Sequence, residues 1–156
     1  MPKPNYKRPE SVLVVVYTRQ EEVLMLRRTR PNGFWQSVTG SLRWGESPAS
    51  AARRELYEET GIMAGDGLID LRHSVTFPII TAWRERYAPS ARTNREHWFA
   101  LALTHRRQPH LQSDEHTEYV WLPKQRAVRQ ASSWTNRDAI RFLLNGRSDL
   151  SVGFVQ

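Results

Sequence analysis

The 156-residue chain contains no cysteine, so it can form neither a disulfide framework nor a thiolate metal site. It has no long apolar run. The longest, Val12 to Tyr17, is far too short to cross a bilayer, so no membrane contact is expected. The first residues, MPKPNYKRPE, lack the apolar stretch of a secretory signal, and the expected location is the cytoplasm. Lysine occurs only at Lys3, Lys7 and Lys124, so arginine carries nearly all the positive charge. The net charge of +7 is scattered in pairs such as Arg27-Arg28, Arg53-Arg54 and Arg106-Arg107. Scattered charge suits phosphate-bearing small molecules but does not by itself indicate nucleic acid. Neither repeats nor low-complexity segments interrupt the chain. Its length and 39% hydrophobic content suit one domain over residues 1–156, with a monomer as the expectation.

Residues 11–18 are rich in β-branched side chains and predict a buried strand, with 23–28 as its partner across a turn at 19–22. Residues 33–39 form a short aromatic-bearing segment leading into Gly40. The clearest helix spans 47–60: Ser47 suits its N-cap, Pro48 its first position and Gly61 a left-handed stop. Strands are predicted over 72–80, 96–103 and 117–122, with a polar connection over 84–95. A last helix covers 136–144, with Ile140, Leu143 and Leu144 on one face and Thr135 as a possible cap. The tail after Gly146 is expected to be loose. Strands punctuated by two helices predict an α+β fold, a mixed sheet covered by helices.

The chemistry concentrates between Gly40 and Ile62. Glu55, Glu58 and Glu59 stand at i, i+3 and i+4 on the predicted helix, so three carboxylates share one stripe. Ala49, Ala52, Leu56 and Thr60 form a neighbouring face suited to packing on a sheet. Like charges this close weaken a helix by a few tenths of a kcal/mol per pair, or about 0.2–0.5. A hard divalent cation removes that penalty and suits oxygen ligands. Arg54 can hold a carboxylate through its planar fork. Gly40 and Gly45 supply backbone freedom where the loop turns. A solvated acidic helix face is the plain alternative for ELYEE taken alone.

The whole string decides between them. Gly40, then Glu46 after five residues, then Arg54, Glu55, Leu56, Glu58, Glu59, Gly61 and Ile62 after seven more, resembles the signature box of the Nudix hydrolases at every specified position. The resemblance implies an α/β/α sandwich in which the box (40–62) forms a loop–helix–loop. It also implies hydrolysis of a phosphoanhydride bond in a nucleoside-diphosphate-like substrate, with Mg²⁺ as cofactor and Mn²⁺ able to substitute. Glu55 and Glu59 become metal ligands, and Glu58 a further ligand or the residue that positions a base. Glu46 is tied to Arg54 or to a metal-bound water.

Further segments, YKRPESVLVVVYT, GFWQSVTGSL, RERYAP, HWFAL, DEHTEYVWL and SWTNRDAI, resemble the folate-pathway branch of that family. That branch releases pyrophosphate from 7,8-dihydroneopterin 3′-triphosphate and leaves the monophosphate. By this resemblance Glu115 is a third metal ligand, with Asp114 and Glu118 as rivals. Lys7, Arg28, Thr39, His116 and Ser133 contact substrate, and Phe77, Pro78, Ile79 and Ile80 form its wall. Solvated or capping roles are the plain alternatives for Lys7, Arg28, His116 and Ser133. Pro78 departs from the branch, which carries an acidic residue there. Trp35, Trp98, Trp121 and Trp134 suit either the core or a stacked ring. Two other readings use the same helix. One is hydrolysis of nucleoside triphosphates, oxidised dGTP or dinucleoside polyphosphates. The other is a non-catalytic nucleotide- or RNA-binding module.

Overall fold

The computed structural model describes residues 5–145 and 153–156. Its spine is strand β1 (Glu10–Thr18), whose residues from Ser11 onward are all buried. A strand buried on both faces needs neighbours on both edges and layers above and below. On one edge β1 pairs in parallel with β6 (Thr93–Leu103), in unbroken register from Glu10↔Arg95 to Thr18↔Leu103. Beyond β6 lies antiparallel β5 (Ile69–Pro78), with a register shift between Asp70 and Ser74. The other edge of β1 is shared. β2 (Glu22–Arg28) meets its far end at Tyr17↔Val23, and β4 (Val38–Ser41) covers its start, from Ser11↔Ser41 to Val14↔Val38. β2 continues the sheet to β3 (Trp35–Gln36) and β7 (His116–Pro123).

Alternation along β1 sorts the core into two layers. Val12, Val14 and Val16 meet helix α1 (Pro48–Thr60) through Ala51, Ala52 and Leu56. Leu13, Val15 and Tyr17 meet α2 (Lys124–Gln130) and α3 (Trp134–Leu144) through Ala127, Ala139, Ile140 and Leu143. The result is the expected three-layer sandwich. No helix among the described residues is long and apolar enough to cross a membrane.

Helix α1 forms where its end signals stand. The Ser47 hydroxyl accepts from Ser50 N–H at 3.2 Å, and Gly61 ends the helix in the left-handed region at φ 74°. The remaining elements amend the reading in four places. Thr135 does not cap α3; Ser133 does, accepting from Asn136 N–H at 3.2 Å, and Thr135 is buried beneath. The polar connection begins with a 3-10 turn, Thr81–Arg86. The short helix α2 has a single buried residue, Ala127, and therefore little periodic signal to read. The expected looseness after Gly146 falls mainly on 146–152, outside the described residues. The end beyond them is docked: Val155 N–H donates to Ala102 O at 2.7 Å, and Thr104 N–H donates to Val155 O at 2.8 Å. Trp98 and Trp121 are core residues, whereas Trp134 is 48% exposed.

Candidate active site

The site is built where β4 lies against the second half of α1, with Gly40 beside Glu55. Arg54 organises it. Its Nε and Nη2 donate to the two oxygens of Glu46, both at 2.8 Å. Its Nη1 donates to Glu55 at 2.8 Å and Glu58 at 3.2 Å, and Nη2 also reaches the carbonyl of Ser41 at 3.0 Å. One planar guanidinium thus joins three carboxylates to β4, a geometry that an ammonium group could not reproduce. The fork holds the Glu46 carboxyl down to a pKa of about 2.

Glu55 lies against Gly40. A Cβ at that glycine would stand 2.1 Å from the Glu55 carboxyl carbon. Close approach, rather than an unusual turn, is what residue 40 requires; the positive φ of the loop belongs to Gly45, at 81°. Glu59 is 1% exposed, because it lies between the acidic stripe and the face that carries Leu56. Its Oε1 has no hydrogen-bond partner. Burial first, then the charge of Glu55, pushes the Glu59 carboxyl well above the usual range; the backbone of Thr39 opposes this. Burial also raises Glu55, and the two carboxyls lie within hydrogen-bond reach of each other. Such a pair shares a proton unless a cation replaces it. Among the described residues no three His, Asp or Glu side chains are already drawn in to ligand spacing. The donor set nevertheless fits a hard divalent cation. It offers anionic oxygens, one of them buried and unpartnered, with neighbouring carboxylates to complete the shell.

The structure gathers residues from distant parts of the chain around this pair. Glu115, exposed in the loop before β7, adds its charge to that felt by Glu59, while its carbonyl accepts from Thr29 N–H at 2.8 Å. His116 is buried, with Nε2 3.6 Å from Glu59 Oε1 and 3.3 Å from Gln36 Nε2. Burial and the nearby Arg28 charge lower its pKa to about 4, so at neutral pH it is an uncharged neighbour of Glu59 and not half of an ion pair. Lys7 is exposed, yet the protein beside it and the charges of Arg86 and Arg28 lower its pKa, while Glu55 opposes them. Lys7 therefore feels the charges of both arginines and of Glu55. Arg28 also anchors to Arg30 O at 2.7 Å and sits 5.9 Å over the Trp83 ring.

Other candidates are placed differently. The Thr39 hydroxyl donates to Val12 O at 2.9 Å, so its backbone is what faces Glu59. Ser133 caps α3. Phe77 is half-buried, Ile79 is buried, and Pro78 and Ile80 are exposed. Glu58, with 43% of its side chain exposed, is the carboxylate of the helix stripe most open to water. Two residues without a motif to announce them also shape the site. Arg8 donates to the carbonyls of Arg43 and Glu46 at 3.0 and 2.8 Å, tying the start of the chain to the loop. Asn136 exchanges two hydrogen bonds with Ser37, at 2.7 and 2.9 Å, and pins α3 to the segment before β4.

Comparison with known proteins agrees with this geometry. The dihydroneopterin triphosphate diphosphatase of Escherichia coli K12 is 46% identical over 145 residues, covering 90% of this chain and 95% of that protein. The Haemophilus influenzae enzyme of the same name is 38% identical over 147 residues, covering 91% and 92%. The solved structure of the E. coli dihydroneopterin triphosphate pyrophosphohydrolase superposes with a TM-score of 0.82 at 45% identity, covering 88% of this chain and 96% of that one. The family model for the NUDIX domain matches residues 7–143. With the box helix, its arginine clamp and its buried acid pair in place, the chain belongs to the Nudix family.

Proposed function

We propose that this Nudix hydrolase cleaves the anhydride between the α and β phosphates of 7,8-dihydroneopterin 3′-triphosphate, releasing pyrophosphate and leaving the monophosphate. The reading is supported by relatives of that activity at 46% and 38% identity along nearly the whole chain. One geometric observation carries it: Arg54 forks Glu46, Glu55 and Glu58 together beside the buried, unpartnered Glu59, and Lys7 feels the charges of both Arg28 and Glu55. A triphosphate needs cationic donors beside its cation-binding carboxylates, and this arrangement supplies both.

Glu55 and Glu59, with Glu115 in the nearby loop, would hold Mg²⁺, and Mn²⁺ would serve as well. When bound, the ion supplies charge stabilisation at the phosphate oxygens and lowers the pKa of water. The remaining work falls to side chains. Arg54 keeps Glu46, Glu55 and Glu58 oriented. Glu58, open to solvent, is suited to take or hold the proton of the attacking water. Lys7 and Arg28 bind phosphate oxygens and draw electron density toward the departing pyrophosphate. Phe77, Pro78, Ile79 and Ile80 offer apolar surface for the ring, and uncharged His116 stands 3.6 Å from Glu59.

The deciding experiment measures kcat/KM for dihydroneopterin triphosphate against a panel of dATP, 8-oxo-dGTP and dinucleoside polyphosphates. The expected result is a clear preference for the pterin. A nucleotide preferred well above it would overturn the substrate while leaving the hydrolase.

A further inference from the structure

We propose that Glu96 and Asn94 form the subsite that reads the hydrogen-bond donors of the substrate's ring, selecting a 2-amino-4-oxopyrimidine edge; this rests on the ring-triphosphate substrate argued above. Both residues lie on β6 two positions apart, so their side chains share one face of the sheet, the face toward α3. Both are buried, at 5% and 4% exposure. Further along the same face the strand is apolar, with Trp98, Ala100 and Ala102 in the core. The polar pair is confined to the end of β6 that adjoins the start of β1.

Their hydrogen bonding is incomplete in one sense only. Glu96 receives the indole N–H of Trp98 at 3.0 Å and the hydroxyl of Thr135. An ionised carboxylate has about four acceptor sites, so two remain. Asn94 donates its Nδ2 to Ser11 Oγ at 2.8 Å, but its buried Oδ1 has no partner. Asn94 Oδ1 is thus the orphan, and Glu96 beside it keeps spare acceptor capacity. A buried acceptor left without a donor is uncommon in folded proteins and points to a partner outside the chain. Burial raises the Glu96 carboxyl above its usual range, and the Trp98 and Thr135 donors oppose this.

The position is right for a ring. Phe77 stands directly across from Asn94 in the β5–β6 ladder and so shares its face. Thr135, which touches Glu96, lies 3.3 Å from Ser133 Oγ. The acceptor pair therefore sits between the apolar wall segment and the start of α3. The side chains of Phe77, Pro78, Ile79 and Ile80 carry no hydrogen-bonding group, so the polar edge of a ring must be met elsewhere. An edge that presents N–H beside NH₂, as in pterin or guanine, satisfies a carboxylate at two points. Adenine and cytosine place a ring acceptor beside the amino group and would set lone pair against lone pair. Hypoxanthine keeps the N–H and loses the amino donor.

The test compares kcat/KM of the intact protein for GTP and ITP, which differ only in that amino group, and for dihydroneopterin triphosphate, in wild type and Glu96→Gln. Wild type should favour GTP over ITP by about 10- to 100-fold, the scale of a charged hydrogen bond. Glu96→Gln should bring the ratio close to one and raise KM for the pterin far more than it lowers kcat. A purely structural Glu96 would lower the thermal midpoint and leave the GTP/ITP ratio alone, which overturns the proposal. A wild-type ratio near one also overturns it, and this arm holds even if the variant does not fold. If GTP and ITP are distinguished through Glu96 but the pterin triphosphate is not hydrolysed, the substrate reading fails and the subsite stands.

Discussion

Replacing Gly40 by alanine adds one methyl group at the point where β4 rests on the acidic helix. The new Cβ would lie 2.1 Å from the Glu55 carboxyl carbon and 2.3 and 2.5 Å from its oxygens. Ordinary contact begins at 3.4 Å, so the carboxyl has to retreat by about 1.3 Å. Glu55 is the far end of a flexible side chain, which makes retreat cheaper than moving the strand. The retreat breaks the 2.8 Å bond to Arg54, a partly exposed interaction worth about 0.5–1 kcal/mol. Folding should therefore survive. Catalysis should not, because a ligand displaced by about an ångström costs on the order of 10²-fold in rate. The assay pairs pyrophosphate release, titrated with Mg²⁺, with thermal unfolding. Gly45→Ala is the control. It meets nothing within 4 Å but forces a residue at φ 81°, so it costs about 1 kcal/mol of stability and leaves Glu55 in place. Wild-type kcat and wild-type magnesium dependence in Gly40→Ala would refute the reasoning.

Three further outcomes follow from the same geometry. Glu59→Gln should lower kcat by several orders of magnitude with the fold intact. Because the Glu59 pKa is raised in the folded protein, ionising it costs stability as pH rises above the ordinary carboxylate value. The metal-free variant should therefore melt a few degrees higher than wild type at neutral pH, and added Mg²⁺ should no longer raise its midpoint; a lower midpoint would contradict the orphaned charge. Arg54→Ala should cost about 2–3 kcal/mol, less than a fully buried pair because the site is partly wet. It should also flatten the acid limb: the stability from Glu46 is present above the ordinary pKa of 4.5 and lost as pH falls through about 2, and an unchanged acid limb in urea melts would count against the clamp. Asn136→Ala leaves buried Ser37 groups unpaired and should lower stability by about 2–4 kcal/mol, read as a drop in urea midpoint at constant m-value.

The acidic stripe, its helix and the arginine beside it were legible because helix period and end signals are local. Ser47, Pro48 and Gly61 place α1 without reference to the rest of the chain. The strands expected over 11–18 and 23–28 were legible to within a residue, since β-branched runs flanking a short turn are also local signals. Helix α2 was not, since a short segment with one buried residue has no periodicity to read. The cap of α3 stays open in the sequence because Ser133 and Thr135 are both capping residues; packing against Glu96 removes Thr135 from the surface, and Ser133 takes the helix end. Gly40 was legible as necessary but for another reason: its φ is unexceptional, and the demand is for space.

By itself the chain determined a metal-ready helix: its register puts Glu55, Glu58 and Glu59 on one stripe whatever surrounds them. Only the tertiary structure decided how those acids differ. Packing α1 on β4 buries Glu59, leaves Glu58 in water and lodges Glu55 beneath Gly40. Folding also brings Lys7, Arg28 and His116 to the acids, and sets Glu96 beside Asn94 under the start of α3. Spacing along a helix is a local property of the backbone, whereas desolvation and charge proximity depend on which surfaces meet, and those are set by the sheet.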